Sequence, residues 1–357
     1  MKNSHLALLA LLLSAFLFLG MDIALSQFGW LGLIRDPILR IPHPVYHHGL
    51  TPGLCSRDSW GPERYQICTN SLGFLDESPR AVALAGEGPR LLIIGDSFAE
   101  GVGLNWRETF PGRFAKEHPE MEVLNAGVSS YSPTIYHAKV TWLLEQGLRF
   151  DHLLVFIDIS DIMDETWYRN DENGNHVTDL RDPPESPLRR QLDDFANRHL
   201  KATTNIFNFI ADLFDEAAQD PRDRPRSAWT YGDWNSLASH YAPIGISAAI
   251  KRAQRSMDRL SQILKTQDIA LSVAVYPWPG QLAFDRPDSL QAKIWHDWCL
   301  GKCTHFINLF PDFFAYKQAN PQSWYVDLFI QGDVHFNARG NAMIAQRLGD
   351  FSWSRGQ

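Results

Sequence analysis

The chain has 357 residues, of which 45% are apolar and 21% charged, and a formal net charge of −8 at pH 7. Those proportions suit one large globular domain or two modest ones, and they exclude wholesale disorder. Acids and bases are interspersed without a basic stripe, so nucleic acid is excluded as an expected partner.

The first residues bear on the compartment. His5 to Met21 holds 16 uncharged residues after its histidine and follows Lys2. The run is long for a secretory signal core and slightly short for a spanning helix. Ala24 and Ser26 offer only a weak cleavage site. The expectation is that residues 1–26 form an uncleaved membrane anchor or, if cleaved, a signal segment, with the rest facing or entering the periplasm. A terminal core helix is disfavoured because every face of the segment is apolar. Cys55 with Cys68, and Cys299 with Cys303, form two local pairs that suit disulfides in an oxidising compartment. Zinc binding and four free thiols are the alternatives; neither pair has the usual two-residue zinc gap.

Residues 27–88 are rich in proline, glycine and histidine and read as an irregular extension. Within it "RYQICTNSLGFLD" turns at Gly73 as a hairpin or edge element. From residue 89 to 355 the pattern alternates between strand and helix. "RLLIIGD", "MEVLNAG", "DHLLVFIDI", "IALSVAVYPW" and "THFINLF" are mostly continuous aliphatic runs, as expected of about five parallel strands buried on both faces. Ser132 and Pro133 open one helix, and Gly147 closes it. In a second, Ile246, Ile250, Ala253, Met257, Leu260 and Leu264 step by four and three along one face. The expected fold is a three-layer, flavodoxin-like α/β domain. About 110 residues separate the third and fourth strands, far more than an ordinary crossover. This insertion, centred on residues 164–240, contains a hairpin-like "YRNDENGNHV", a break at "DPPESP" and a helical "NIFNFIADLF". It is a candidate lid over the strand ends, where open α/β sheets bind ligands.

The chemistry gathers at those ends. Gly95 permits a turn after the first strand and places Ser97 at a helix start, where backbone N–H groups stabilise developing negative charge. Gly95, Gly101 and Gly103 do not match phosphate-loop or dinucleotide spacings. Ala99 stands where a lipase-type elbow needs glycine. Far along the chain, Asp333 and His335 precede a helix that Asn337 is placed to cap. Two residues apart in an extended segment, they point the same way, so Asp333 can orient His335 as the base for Ser97. Taken singly, each feature also suits a cap or a turn. His47 and His48 read as surface polar groups rather than metal ligands. Trp229, Tyr231 and Trp234 suit packing or a sugar-stacking surface. Trp278, after the fourth strand, faces the site region.

"GDSFAEG", "NAGVSSYS", "FIDISDI" and "GDVHFN" occur in that order, and together they resemble the four blocks of the SGNH, or GDSL, hydrolase superfamily. The resemblance covers roughly residues 89–350, and "TNSLGF" and "VYPWPGQ" are similar to membrane-anchored bacterial members. It implies Ser97 as nucleophile, His335 as general base and Asp333 as its orienting acid. The N–H groups of Ser97 and Gly127 would be oxyanion donors. Two positions depart from the pattern. The usual acid position holds Gly332, with Asp333 one residue later. The third block, usually Gly-x-Asn-Asp, reads Asp158-Ile159-Ser160-Asp161, so Ser160 stands where the asparagine would donate to the oxyanion. The implied activity is a serine esterase acting on short acyl esters of envelope or extracellular polysaccharide, without metal or organic cofactor. The same triad would serve an O-acyltransferase. The changes at Asp158 and Ser160 leave open a non-catalytic binding component of an envelope assembly.

Overall fold

The computed structural model describes residues 2–28, 39–60, 63–170, 176–181, 225–231 and 241–353, together with 195, 199, 200, 203 and 222. The chain divides into two compact units. The smaller, residues 1–37 and 181–219, contains the helix Lys2–Phe28. Among the described residues no helix is long and apolar enough to cross a membrane, so the anchor expectation finds no support. Near the helix end Asp22 is buried, and its carboxylate accepts the N–H of Thr203 at 2.7 Å and its hydroxyl at 2.6 Å. The burial of this carboxylate is thus matched by hydrogen-bond donors within the same unit. "DPPESP", "NIFNFIADLF" and Trp234 lie outside the described residues.

The larger unit, residues 38–180 and 220–357, is built on strands. In chain order these are β1 Arg40–His43, β2 His47–Leu50, β3 Cys55–Trp60, β4 Glu63–Thr69, β5 Leu75–Asp76, β6 Arg90–Ile94 and β7 Glu122–Asn125. They continue with β8 His152–Ile157, β9 Tyr168–Asn170, β10 Val177–Asp179, β11 Ala270–Val275 and β12 His305–Asn308. Eight form one sheet in the order β12-β11-β8-β6-β7-β5-β4-β3. The five expected strands are its parallel part, and the aliphatic runs of β6, β8 and β11 are buried almost throughout. The sheet is wider than expected because the extension adds β3, β4 and β5, all antiparallel. Disulfides Cys55–Cys68, which ties β3 to β4, and Cys299–Cys303 match the two local pairs of the sequence. The hairpin expected at "YRNDENGNHV" is β9 paired with β10.

Helices cover the sheet on both sides. Pro133–Glu145 packs on Ile246–Thr266, and Phe110–Glu117 packs on Ala338–Leu348. Ala253, Met257, Leu260 and Leu264 of the long helix are buried, as their spacing requires. From β6 the chain passes to β7 on one side and then to β8 on the other. The strand order therefore reverses at β6, and the crevice that such a reversal opens lies at the residues following it.

Candidate active site

Gly95 ends β6, and its lack of a side chain sets how closely the next turn can pack. A Cβ there would lie 2.8 Å from the Ala99 Cβ and 3.0 Å from the Phe156 Cβ. A side chain on Gly127, after β7, would meet the same Ala99 Cβ at 2.8 Å. Both glycines thus let the short helix Ser97–Glu100 sit down on the sheet, with Asp96 as N-cap accepting from the Phe98 N–H at 3.0 Å. Ser97 is the first helical residue, so its N–H precedes the helix's own hydrogen bonds.

His335 reaches Ser97 across 238 positions: its Nε2 lies 2.7 Å from the Ser97 Oγ. Its Nδ1 lies 2.5 Å from Asp333 Oδ1, which also accepts the N–H groups of Val334 at 2.6 Å and His335 at 3.0 Å. Nδ1 is the donor to the carboxylate, so Nε2 is the acceptor for the serine hydroxyl. Burial opposes the charge on Asp333, but the donors from His335 and the indole of Trp60 hold its carboxyl well below the usual range. The two-residue spacing thus puts the Asp333 carboxylate against the His335 imidazole, one residue after Gly332. Asn337 caps the following helix, accepting from Arg339 N and Gly340 N.

Ser160 and Asp158 are linked to Ser97 through Asp96. The Ser160 hydroxyl is 2.6 Å from Asp158 Oδ1 and 3.0 Å from Asp96 Oδ2. Asp158 also accepts from Ser160 N at 2.7 Å, from Asp161 N at 3.2 Å and from the Trp278 indole at 2.6 Å. Burial, reinforced by the Asp158 charge, pushes the Asp96 carboxyl well above its ordinary value. Asp161 is raised in the same way, and the Tyr136 hydroxyl donates to it. Oxygens of Asp96, Asp158 and Asp161 lie within 4.8 Å of one another. Each carboxyl already accepts from protein donors, so the three form a hydrogen-bonded network and not a free ligand set.

The loop after β7 is held from several directions. The Gly127 N–H donates to Asn125 Oδ1 at 3.1 Å, and Asn125 in turn donates to the Ala99 carbonyl at 2.7 Å. Fully buried Lys139 donates to the Ala126 carbonyl at 2.9 Å and the Tyr131 hydroxyl at 3.1 Å, and burial pulls it down to about 7. Glu100 accepts the Ser129 N–H at 2.6 Å and hydroxyl at 2.7 Å, and pairs with Arg40 of β1. His48 of β2 has its Nε2 2.8 Å from the Ser129 carbonyl, and burial lowers it to about 4. It is a neutral donor, part-buried in β2 and held against the loop, not the surface polar group expected from the sequence.

The structure therefore brings Ser97, His335 and Asp333 into one chain of contacts, joins Ser160 to Ser97 through Asp96, and packs Gly127 against Ala99 of the same short helix. Trp229 is buried and donates to the Tyr241 hydroxyl, which makes it a packing residue. Trp60 and Arg40 had no signal in the sequence, because their partners Asp333 and Glu100 are distant along the chain.

No family model matches the chain, and no curated protein does. Solved structures similar to it include the psychrotrophic esterase EstA from Pseudoalteromonas sp., 13% identical, covering 73% of this chain and 94% of that one at a TM-score of 0.37. A catalytic mutant of the acetylxylan esterase Axe2 from Geobacillus stearothermophilus is 12% identical, with coverages of 77% and 100% and a TM-score of 0.41. A member of the lipolytic protein G-D-S-L family from Veillonella parvula is 10% identical, with coverages of 74% and 97% and a TM-score of 0.41. The solved structures similar to this chain thus include a member of the G-D-S-L family that its four sequence blocks resemble.

Proposed function

We propose that the protein is a serine ester hydrolase with Ser97 as nucleophile, His335 as general base and Asp333 as the acid that orients it. The observation that carries this reading is the continuous contact from Ser97 Oγ through both nitrogens of His335 to Asp333, at the carboxyl end of β6. Ser97 Oγ attacks the ester carbonyl while its proton passes to His335 Nε2. The imidazolium then gives that proton to the departing alcohol oxygen, leaving an acyl-serine that water hydrolyses by the reverse proton path. The oxyanion is received by the N–H groups of Ser97 and Gly127. The latter exchanges the Asn125 amide oxygen for a stronger, charged acceptor. We assign the acyl donor to short esters of envelope or extracellular polysaccharide; two disulfides support an oxidising compartment outside the cytoplasm.

The test is p-nitrophenol release from p-nitrophenyl acetate by the full chain and by Ser97→Ala, followed by acetate release from an acetylated xylan. Turnover lost at least a hundredfold in the variant is expected. Equal release by both proteins overturns the nucleophile assignment. Acetate that appears on an added sugar acceptor instead of in solution replaces the hydrolase with an acyltransferase using the same residues.

A further inference from the structure

The carboxylate of Asp333 has two oxygens with different surroundings. Oδ1 takes the imidazole and two backbone N–H groups of its own turn. Among the described residues, Oδ2 has one hydrogen-bond donor, the indole Nε1 of Trp60, at 3.0 Å and 273 positions away. Trp60 is the last residue of β3, the edge strand of the sheet, in register with Glu63 of β4. At the other end of this hairpin the Cys55–Cys68 disulfide ties the two strands together. Trp60 also stands edge-on to the His335 ring, with centroids 5.0 Å apart and planes at 86°. One side chain therefore touches both members of the acid–base pair.

We propose that Trp60 is a positioning residue for the Asp333–His335 pair, so that the N-terminal extension completes the active site of the α/β domain. The inference rests on the esterase reading above. A carboxylate bonded through one oxygen alone can rotate about its last side-chain bond and trade oxygens against the imidazole. The indole N–H pins the second oxygen, and the ring closes off the space into which the imidazole would tilt. It also draws negative charge away from the oxygen that faces His335. Removing it both loosens the pair and leaves a more basic carboxylate beside the imidazole, which favours the imidazolium. Among the described residues, the titratable groups facing His335 are Asp333 and, through Ser97, Asp96, whose Oδ2 lies 3.3 Å from the Ser97 Oγ. The Tyr325 hydroxyl donates to the backbone carbonyls of Asp333, at 3.0 Å, and Ile330, at 3.3 Å, and the Phe98 ring against His335 bears no charge.

The experiment compares the full chain with Trp60→Phe and with a chain whose Trp60 indole is replaced by benzothiophene, which keeps the shape and lacks the N–H. The expected result for both is a kcat lower by about tenfold with KM within about twofold, since a hydrogen bond to a charged group has been lost. The acid limb of the kcat/KM profile moves up by about half a pH unit. Trp60→Gln, which retains a donor, regains part of the rate. The His335 ring-proton titration, followed by NMR in a Ser97→Ala background, shows the same upward move without any turnover. If Ser97 proves not to be a nucleophile, the titration still reads the Trp60 contact. An unchanged His335 titration in the benzothiophene chain overturns the proposal, as does a rate loss that only tracks the unfolded fraction.

Discussion

One hydroxyl proton on Ser160 faces two carboxyl groups, and both contacts are hydrogen bonds only if one of the acids carries a proton. Asp158 accepts three N–H groups, which suits an anion, whereas Asp96 has one backbone N–H and three hydroxyls around it, those of Ser97, Ser160 and Tyr276. The proton therefore belongs on Asp96, which donates to Ser160, and Ser160 donates to Asp158. Its hydroxyl is spent inside the network and is not aimed at a substrate oxyanion, unlike the asparagine of the resembled pattern. An oxyanion donor is worth about 10²–10³ in kcat. On the present geometry Ser160→Ala instead costs less than about threefold in p-nitrophenyl acetate turnover. Asp158→Gly releases the hydroxyl, and Ser160→Ala on that background then costs more than it does alone. A hundredfold loss from Ser160→Ala in the otherwise unchanged chain would restore Ser160 to the oxyanion hole.

At the scale of elements, the helix Ala338–Leu348 depends on a residue that touches three segments. Asn337 Oδ1 accepts from Arg339 N at 2.9 Å and Gly340 N at 3.2 Å, while its Nδ2 donates to the carbonyls of Val326 and Phe329. Asn337→Ala removes all four bonds and should cost about 1–2 kcal/mol in urea unfolding. Asn337→Asp keeps the cap and loses only the two donations, so it should cost less; equal costs would show that capping is not the mechanism. This cap was legible because an asparagine followed an extended turn and preceded a helical pattern. The parallel strands were legible for a related reason: burial on both faces forces runs such as Leu91 to Ile94 that no surface segment needs. The relay was legible as a pair of motifs, since Asp333 and His335 are neighbours and Ser97 stands at a strand end. The extension was legible only as a hairpin turning at Gly73, which is β4 paired with β5; its side-chain contacts to the site were not. Trp60, Arg40 and His48 act on Asp333, Glu100 and Ser129, and the pairing of an edge strand with a remote acid leaves no periodicity to read.

At the scale of the whole molecule, four histidines among the described residues are kept neutral by the fold. Burial lowers His43, His48, His137 and His152 to about 4, against an ordinary value near 6.5. Between those limits the unfolded chain binds protons that the folded chain refuses. Their contribution is therefore fully present above about pH 6.5 and is lost as pH falls towards 4. Glu165 works the other way. Burial raises it to about 7, so its contribution is lost as pH rises from the ordinary glutamate range, and the net slope of stability blends the two. A single histidine separates them. His152 opens β8 far from Ser97 in sequence, is buried, and has its Nε2 2.8 Å from the Ser272 hydroxyl, with the His305 ring stacked at 6.0 Å. His152→Gln should destabilise the protein at pH 7, where the neutral imidazole packs and bonds without penalty. That deficit should shrink on going to pH 4.5, because only the parent chain then gives up stability to protonation of this site in its unfolded state. Urea unfolding of both proteins at pH 7, 5.5 and 4.5 measures the difference directly. A deficit constant across the three pH values would mean that His152 titrates alike in the folded and unfolded chains, and that the acid sensitivity of the fold lies with the other three.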